Sequence, residues 1–300
     1  MNSRTMARRL TLIGLTLTFY LAGCANSAPN SAGALTLFDA HVHLENSITP
    51  EEQVAALQKA GLSGAIIFGP NNGRNGDLLT LHDHFPPFIY PFLNADVDNG
   101  TGLTELNDAT LTYFDRKLFS GDGWGIGELR FDDASSEAPV DGPNALRLYD
   151  IAAERGAPIT LHYDSQDIAA LERALDHNPQ AILIWARMGE AQAEVVGPLM
   201  QKHPNLYLDL SARNPFDKKN GTPADQWLTT DDGALKPEWK TVFETYPDRV
   251  LFGTNLGDGS TFERIDQIVD YYRKVLAQLE PAAAEKIAHA NAERLLRIGQ

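Results

Sequence analysis

The stretch "LTLFDAHVHLENSITPEEQVAALQKAGLSGAIIFG", Leu35 to Gly69, reads as one strand–helix–strand unit. Leu35 to Ala40 is a short apolar run suited to a strand. Pro50 to Ala60 has helical spacing, with proline at its start and Glu51 and Glu52 in the first turn, where the helix dipole favours acids. Gly61 then stops the helix, and Gly64 to Phe68 is a second strand. Two strands joined through a helix run parallel.

The same alternation continues along the chain. Further strand candidates are Phe88 to Asn94, Trp124 to Arg130, Pro158 to His162, Ala181 to Ala186, Leu206 to Leu210 and Val250 to Thr254. Helical segments include Gly142 to Arg155, Asp167 to Asp176 and Ala191 to Lys202, the last two followed by turn signals at His177 and His203. Eight strands over about 250 residues fit a single-domain (β/α)8 TIM barrel spanning residues 35–300. A doubly wound open sheet is the alternative, because strand order is not written in one sequence. The Gly/Asn-rich "GPNNGRNGD" after the second strand and Ser211 to Thr241 after the seventh are long enough to shape the mouth.

The first 23 residues have a different character. Arg4, Arg8 and Arg9 precede an apolar run from Leu10 to Leu21 that is too short to span a bilayer comfortably. The sequence then reads Leu21-Ala22-Gly23-Cys24, which resembles the lipobox of bacterial lipoproteins. That resemblance implies cleavage after residue 23, lipidation of Cys24 and a flexible tether over residues 24–34. An ordinary signal peptide is the rival reading, but Cys24 is the only cysteine and has no disulfide partner within the chain. Of the 300 residues, 277 would remain, and losing three arginines and no acids moves the formal charge from -15 to -18. Such acidity disfavours nucleic acid as a partner and leaves the lipid anchor as the route to a membrane. By the same resemblance, alanine rather than aspartate after Cys24 implies the periplasmic face of the outer membrane, if the source has two membranes.

In a barrel the chemistry sits where strands end. His41 and His43 share one face at the end of the first strand. Glu128 lies within the apolar, glycine-rich "GWGIGELRF", and His162 ends the fifth strand, with Asp164 two residues on. Buried imidazoles and a buried carboxylate are costly unless paired or bound to a cation. Three histidines and one carboxylate suit Zn²⁺, with Fe²⁺ or Mn²⁺ also possible. The plainer alternative is that each strand-end histidine is a hydrogen-bonded structural residue.

"FDAHVHLE", "GIGELR", "PITLHYD", "ILIWARMG", "LYLDLS", "VLFGTNLG" and "NAERLL" occur in the order of the strand-end blocks of the amidohydrolase superfamily, and the chain resembles its amidohydrolase-related family. The resemblance implies a (β/α)8 barrel with one or two divalent metals, acting by a metal-activated water or by decarboxylation. It implies metal-ligand roles for His41, His43 and His162, and a ligating or bridging role for Glu128.

Two positions depart from the family pattern. Arg187 in "WARMG" stands where the family usually has histidine, and Asn255 in "FGTN" where it usually has the aspartate that takes a proton from metal-bound water. An amide is no general base at neutral pH, and a guanidinium is no metal ligand. Glu128 is the best substitute proton acceptor, with Asp164 and Asp209 behind it, and Asn255 would orient water or ligand. A divalent cation, three neutral histidines, Glu128 and Arg187 sum to about +2, so the pocket favours a small anionic substrate held by Arg187. An ion pair of Arg187 with Asp209 or Asp164 is the structural alternative. Two readings stay open: a metal-dependent hydrolase or lyase, and a barrel without turnover that binds a metal or an anion at the cell envelope.

Other signals are set aside. His82 and His84 cap a helix before Pro86-Pro87, His177, His203 and His289 read as surface residues, and the alternating glycines of "GDGWGIGE" leave room around Glu128.

Overall fold

The computed structural model describes residues 35–45, 47–69, 75–94, 106–131, 139–164, 167–217 and 222–298. The signal segment, Cys24 and the tether lie outside the described residues, as do 70–74 of the loop after the second strand. The strands are β1 (Leu37–His43), β2 (Leu62–Phe68), β3 (Ile89–Leu93), β4 (Gly125–Arg130), β5 (Ile159–His162), β6 (Leu183–Trp185), β7 (Leu206–Asp209) and β8 (Val250–Leu251). They pair in parallel in the order of the chain, which excludes the doubly wound arrangement. The amide of Ala40 donates to Phe252 O at 2.8 Å and that of His43 to Leu256 O at 2.7 Å. These bonds draw the segment after β8 against β1 and close the barrel.

Helices α1 (Pro50–Lys59), α2 (Asn75–His84), α3 (Asp108–Ser120), α4 (Pro143–Arg155), α5 (Ile168–His177), α6 (Ala193–Lys202) and α7 (Pro237–Thr245) connect successive strands. Thr49 and Glu52 form a capping box at the start of α1, which fixes where that crossover begins. After β8 come α8 (Gly259–Phe262), α9 (Ile265–Leu276), α10 (Pro281–Glu285) and α11 (Asn291–Leu295). None of the described helices is long and apolar enough to cross a membrane.

Two layers of apolar side chains hold the barrel. Phe38, Ala40, Ile66, Phe68, Phe92 and Ile184 belong to an inner cluster that Ala292 and Leu295 of α11 join. Leu37, Val42, Ala65, Ile67, Ile126 and Leu129 face the helices instead. This division exposes a break in the period of two. Phe38 and Ala40 point inward, yet Val42 points outward, so β1 changes phase between Ala40 and Val42. Its pairing with β2 shows the cause: Asp39 faces Ala65 while Val42 faces Ile67, one extra residue on β1. A one-residue slip moves every later side chain to the opposite face. Without this bulge, His41 and His43 would point at the helices.

Strand β4 uses the same device. Ile126 faces Ile159 and Leu129 faces Leu161, again with one extra residue, and the slip turns Glu128 inward. Gly127 sits there with φ at +131°, and a Cβ on it would lie 2.6 Å from Thr160 O. Only glycine fits. The glycines of this run therefore make room for the neighbouring strands, Gly125 for the Phe92 ring and Gly127 for the Thr160 backbone, and not for Glu128 as its sequence context suggests.

Candidate metal centre and barrel mouth

The first bulge frees the amide of His41, and Asp39 takes it up. Asp39 Oδ1 accepts from His41 N and from Thr254 N, each at 3.0 Å, and Oδ2 accepts from the Thr254 hydroxyl at 2.6 Å. Asp39 is fully buried. Burial pushes its carboxyl up to about 7 against the opposing pull of these hydrogen bonds. One side chain thus fixes the bulge and ties it to the segment after β8.

The His41 ring is buried, and its Nδ1 donates to Asp209 Oδ2 at the end of β7. A carboxylate can only accept, so Nδ1 carries a proton, and in the neutral ring Nε2 offers a lone pair. Asp209 is held in turn by the Ser211 amide, 2.6 Å from Oδ1. Gly253 lets the segment after β8 pass this pair, since a Cβ there would lie 2.7 Å from Asp209 Oδ1. Burial lowers the His41 pKa, but the Asp209 charge outweighs it and the net shift is upward. For His43 burial wins, and its pKa falls to about 3.

His41 Nε2 lies 3.1 Å from His43 Nε2, and His43 Nε2 lies 3.5 Å from Glu128 Oε2. Both rings pack against Phe68, with centroids 4.8 and 5.3 Å away. Glu128 Oε2 is buried without a hydrogen-bond partner. Atoms about 2.0–2.1 Å from one tetrahedral zinc stand roughly 3.4 Å from each other. Two imidazole nitrogens, one of them hydrogen-free, and an orphaned carboxylate oxygen at these separations fit a single divalent cation. Among the described residues, His41, His43 and Glu128 are the group that can do so. The Asp209–His41 contact supplies the outer hydrogen bond that orients a metal-binding histidine.

His162 is adjacent but outside that group. Its Nδ1 lies 2.9 Å from Glu128 Oε1, and its Nε2 is 4.0 Å from Asp164 Oδ1. Arg187 comes from a five-residue turn (186–190) after β6 and has left-handed backbone, φ +56°. Its Nη2 lies 3.6 Å from Glu128 Oε1 and donates to Asn255 Oδ1 at 3.1 Å. Glu128 and Asn255 thus replace the Asp209 or Asp164 pairing that the sequence left open. Burial raises the Glu128 pKa, but the charge of Arg187, the His162 hydrogen bond and the His41 charge outweigh it, holding the carboxyl well below the usual range.

Asn255 shares the left-handed conformation, φ +64°, and its amide N–H donates to His41 O at 2.9 Å. Its side-chain Nδ2 donates to Asp217 Oδ1 at 2.9 Å. The expected site residues His41, His43, Glu128, His162, Arg187 and Asn255 therefore form one connected cluster at the mouth. Asp39 and Asp217 belong to it as well. Asp39 had the signal that marked Glu128, a carboxylate inside an apolar strand, whereas Asp217 sits in a long loop with nothing to single it out.

Of the histidines set aside, His82 uses Nδ1 on Ile89 O at 2.6 Å, holding the start of β3. His203 is a correction: it is buried beneath Glu172 and Asp176, with Nε2 3.4 Å from Glu172 Oε1, and is no surface residue.

Fold and site together define a closed (β/α)8 barrel whose strand ends carry a His-x-His and carboxylate centre. The sequence profile of the amidohydrolase family matches residues 38–298, and the chain belongs to that family. Among curated proteins, none matches this sequence. Solved structures share the fold. An uncharacterized TIM-barrel protein from Bordetella bronchiseptica has a TM-score of 0.63 at 15% identity, with 88% of this chain and 99% of that one covered. A dihydroxybenzoic acid decarboxylase from Polaromonas sp. with bound manganese and the inhibitor 2-nitroresorcinol scores 0.57 at 14% identity, covering 89% and 98%. An amidohydrolase from Burkholderia multivorans with bound zinc scores 0.60 at 13% identity, covering 87% and 99%.

Proposed function

We propose that this protein is a metal-dependent enzyme acting on a small carboxylate, with loss of CO₂ favoured over hydrolysis. The observation that carries the reading is the meeting of His41 Nε2, His43 Nε2 and Glu128 Oε2, a buried oxygen without a hydrogen bond, beside the Arg187 guanidinium. A divalent cation held by these three side chains would supply Lewis-acid polarisation of a substrate oxygen. The metals named with the Polaromonas and Burkholderia proteins, manganese and zinc, are both compatible with this donor set.

The remaining residues favour carbon–carbon cleavage. Hydrolysis needs a base for water, and the candidates nearest the cation are committed elsewhere: Asp209 to His41 and Ser211, Asn255 as an amide, Glu128 to the cation, while Asp164 stands at the rim, 43% exposed and 4.0 Å from His162 Nε2. Decarboxylation needs no such base. The bond between the substrate carbon and its carboxylate breaks, CO₂ departs, and the electron pair left on carbon takes a proton. His162, which lies between Glu128 and Asp164, would donate it. Arg187 orients the anion.

The test is CO₂ release from a panel of hydroxybenzoates by protein loaded with zinc or manganese, beside hydrolysis of lactones. Release that is abolished in Arg187→Met and slowed at least a hundredfold in His162→Asn supports the reading. Lactone hydrolysis without CO₂ release would replace it with a hydrolase, and stoichiometric metal without either activity would indicate a binding protein. We also propose that Cys24 anchors the mature chain at the cell envelope, supported by the "LAGC" segment. Fractionation of cells expressing Cys24→Ser tests this, and retention of the variant in the membrane fraction would refute it.

A further inference from the structure

We infer that Asp217, in the loop after β7, is a positioning residue for Arg187 and acts through the Asn255 side chain. The inference rests on Arg187 as the anion contact proposed above. A side-chain amide has one donating and one accepting end, and its orientation decides which end a neighbour meets. Asn255 cannot move as a whole, since its left-handed backbone is bonded to His41 O. The freedom that remains is the direction of its amide. Asp217, itself only 6% exposed, accepts from Nδ2 and so turns Oδ1 toward Arg187 Nη2.

The guanidinium is thereby held between two oxygens, Asn255 Oδ1 at 3.1 Å and Glu128 Oε1 at 3.6 Å. Without the carboxylate, Asn255 can reverse and present its NH₂ to a cation, which repels it. The seat of Asp217 is structural: Phe216 N donates to Asn214 Oδ1 at 2.8 Å, and Asn214 Nδ2 to the buried Tyr272 hydroxyl of α9 at 3.3 Å. A continuous path therefore runs from α9 through the loop to the anion contact. Arg187 and Asn255 both hold a conformation that costs a non-glycine residue energy, the kind of strain that persists where the surroundings over-determine it.

Benzoate, a small monocarboxylate, is the probe, and its affinity for the zinc-loaded protein is measured by calorimetry. Asp217→Ala should weaken binding about tenfold, the loss expected when one charge-assisted contact is misplaced. Asp217→Asn retains an acceptor and should lose less. In an Arg187→Met background, Asp217→Ala should change nothing further. Natural affinity in Asp217→Ala, or an equal loss in both backgrounds, overturns the inference. Should the natural protein and Arg187→Met take up benzoate alike, or neither at all, the anion role of Arg187 fails. The positioning claim is then judged by a crystal structure of Asp217→Ala: an Asn255 carbonyl still on Arg187 overturns it, and a guanidinium shifted away upholds it.

Discussion

Replacing Asp209 by asparagine tests the wiring of the metal centre without touching a ligand. The native carboxylate can only accept, which keeps the proton of His41 on Nδ1 and leaves Nε2 as a lone pair. Ser211 N already occupies Oδ1 at 2.6 Å, so an amide that preserves this bond must turn its NH₂ toward His41. Nδ1 then becomes the acceptor, the proton moves to Nε2, and the lone pair that faces His43 and Glu128 disappears. Outer hydrogen-bond partners of this kind are worth about 10- to 100-fold in metal affinity, or roughly 1.4–2.7 kcal/mol. Competition titration of zinc against a chelator of known affinity, with natural and Asp209→Asn protein, reads this directly. Equal zinc affinity in a folded Asp209→Asn protein would refute the argument that Asp209 sets the tautomer of His41.

The barrel closure and the mouth yield two more predictions. Asp39→Ala deprives three buried donors of their acceptor, and at about 1 kcal/mol or more for each it should cost at least ~3 kcal/mol of stability by urea unfolding; a loss below ~1 kcal/mol would mean that the bulge is held by something else. Asn255→Asp places a carboxylate against Asp217 at the present 2.9 Å contact, where two such groups cannot both ionise. The effect of Asp217→Asn on stability should therefore reverse sign between backgrounds, lowering thermal stability in the natural protein and raising it in Asn255→Asp. The same sign in both would contradict the arrangement at Asn255.

The barrel was legible because parallel strands buried on both faces are continuous apolar runs, and all eight stand where such runs occur. Strand β8 is the partial exception: the run to Thr254 is apolar enough, yet the left-handed Asn255 and the close approach of Gly253 to Asp209 end regular pairing at Leu251. At the site, His41 and His43 could be assigned to a common face from their spacing, but not to the inner one. That choice is made by an extra residue in β1, which has meaning only relative to β2. Glu128 depends on the same kind of slip against β5. The partners of Arg187 were equally out of reach, since the chain carries acids at several strand ends and only the packed mouth selects Glu128.

The central claim is that His41, His43 and Glu128 form one metal site, and metal content measures it most directly. Natural protein purified without chelators and the variants His41→Ala, His43→Ala and Glu128→Gln would be analysed by elemental mass spectrometry, with circular dichroism to establish folding. The account predicts about one equivalent of a divalent transition metal in the natural protein and a large loss in each folded variant. Metal retained in full by folded His41→Ala and His43→Ala, or absent from natural protein even after incubation with zinc and manganese, would contradict it.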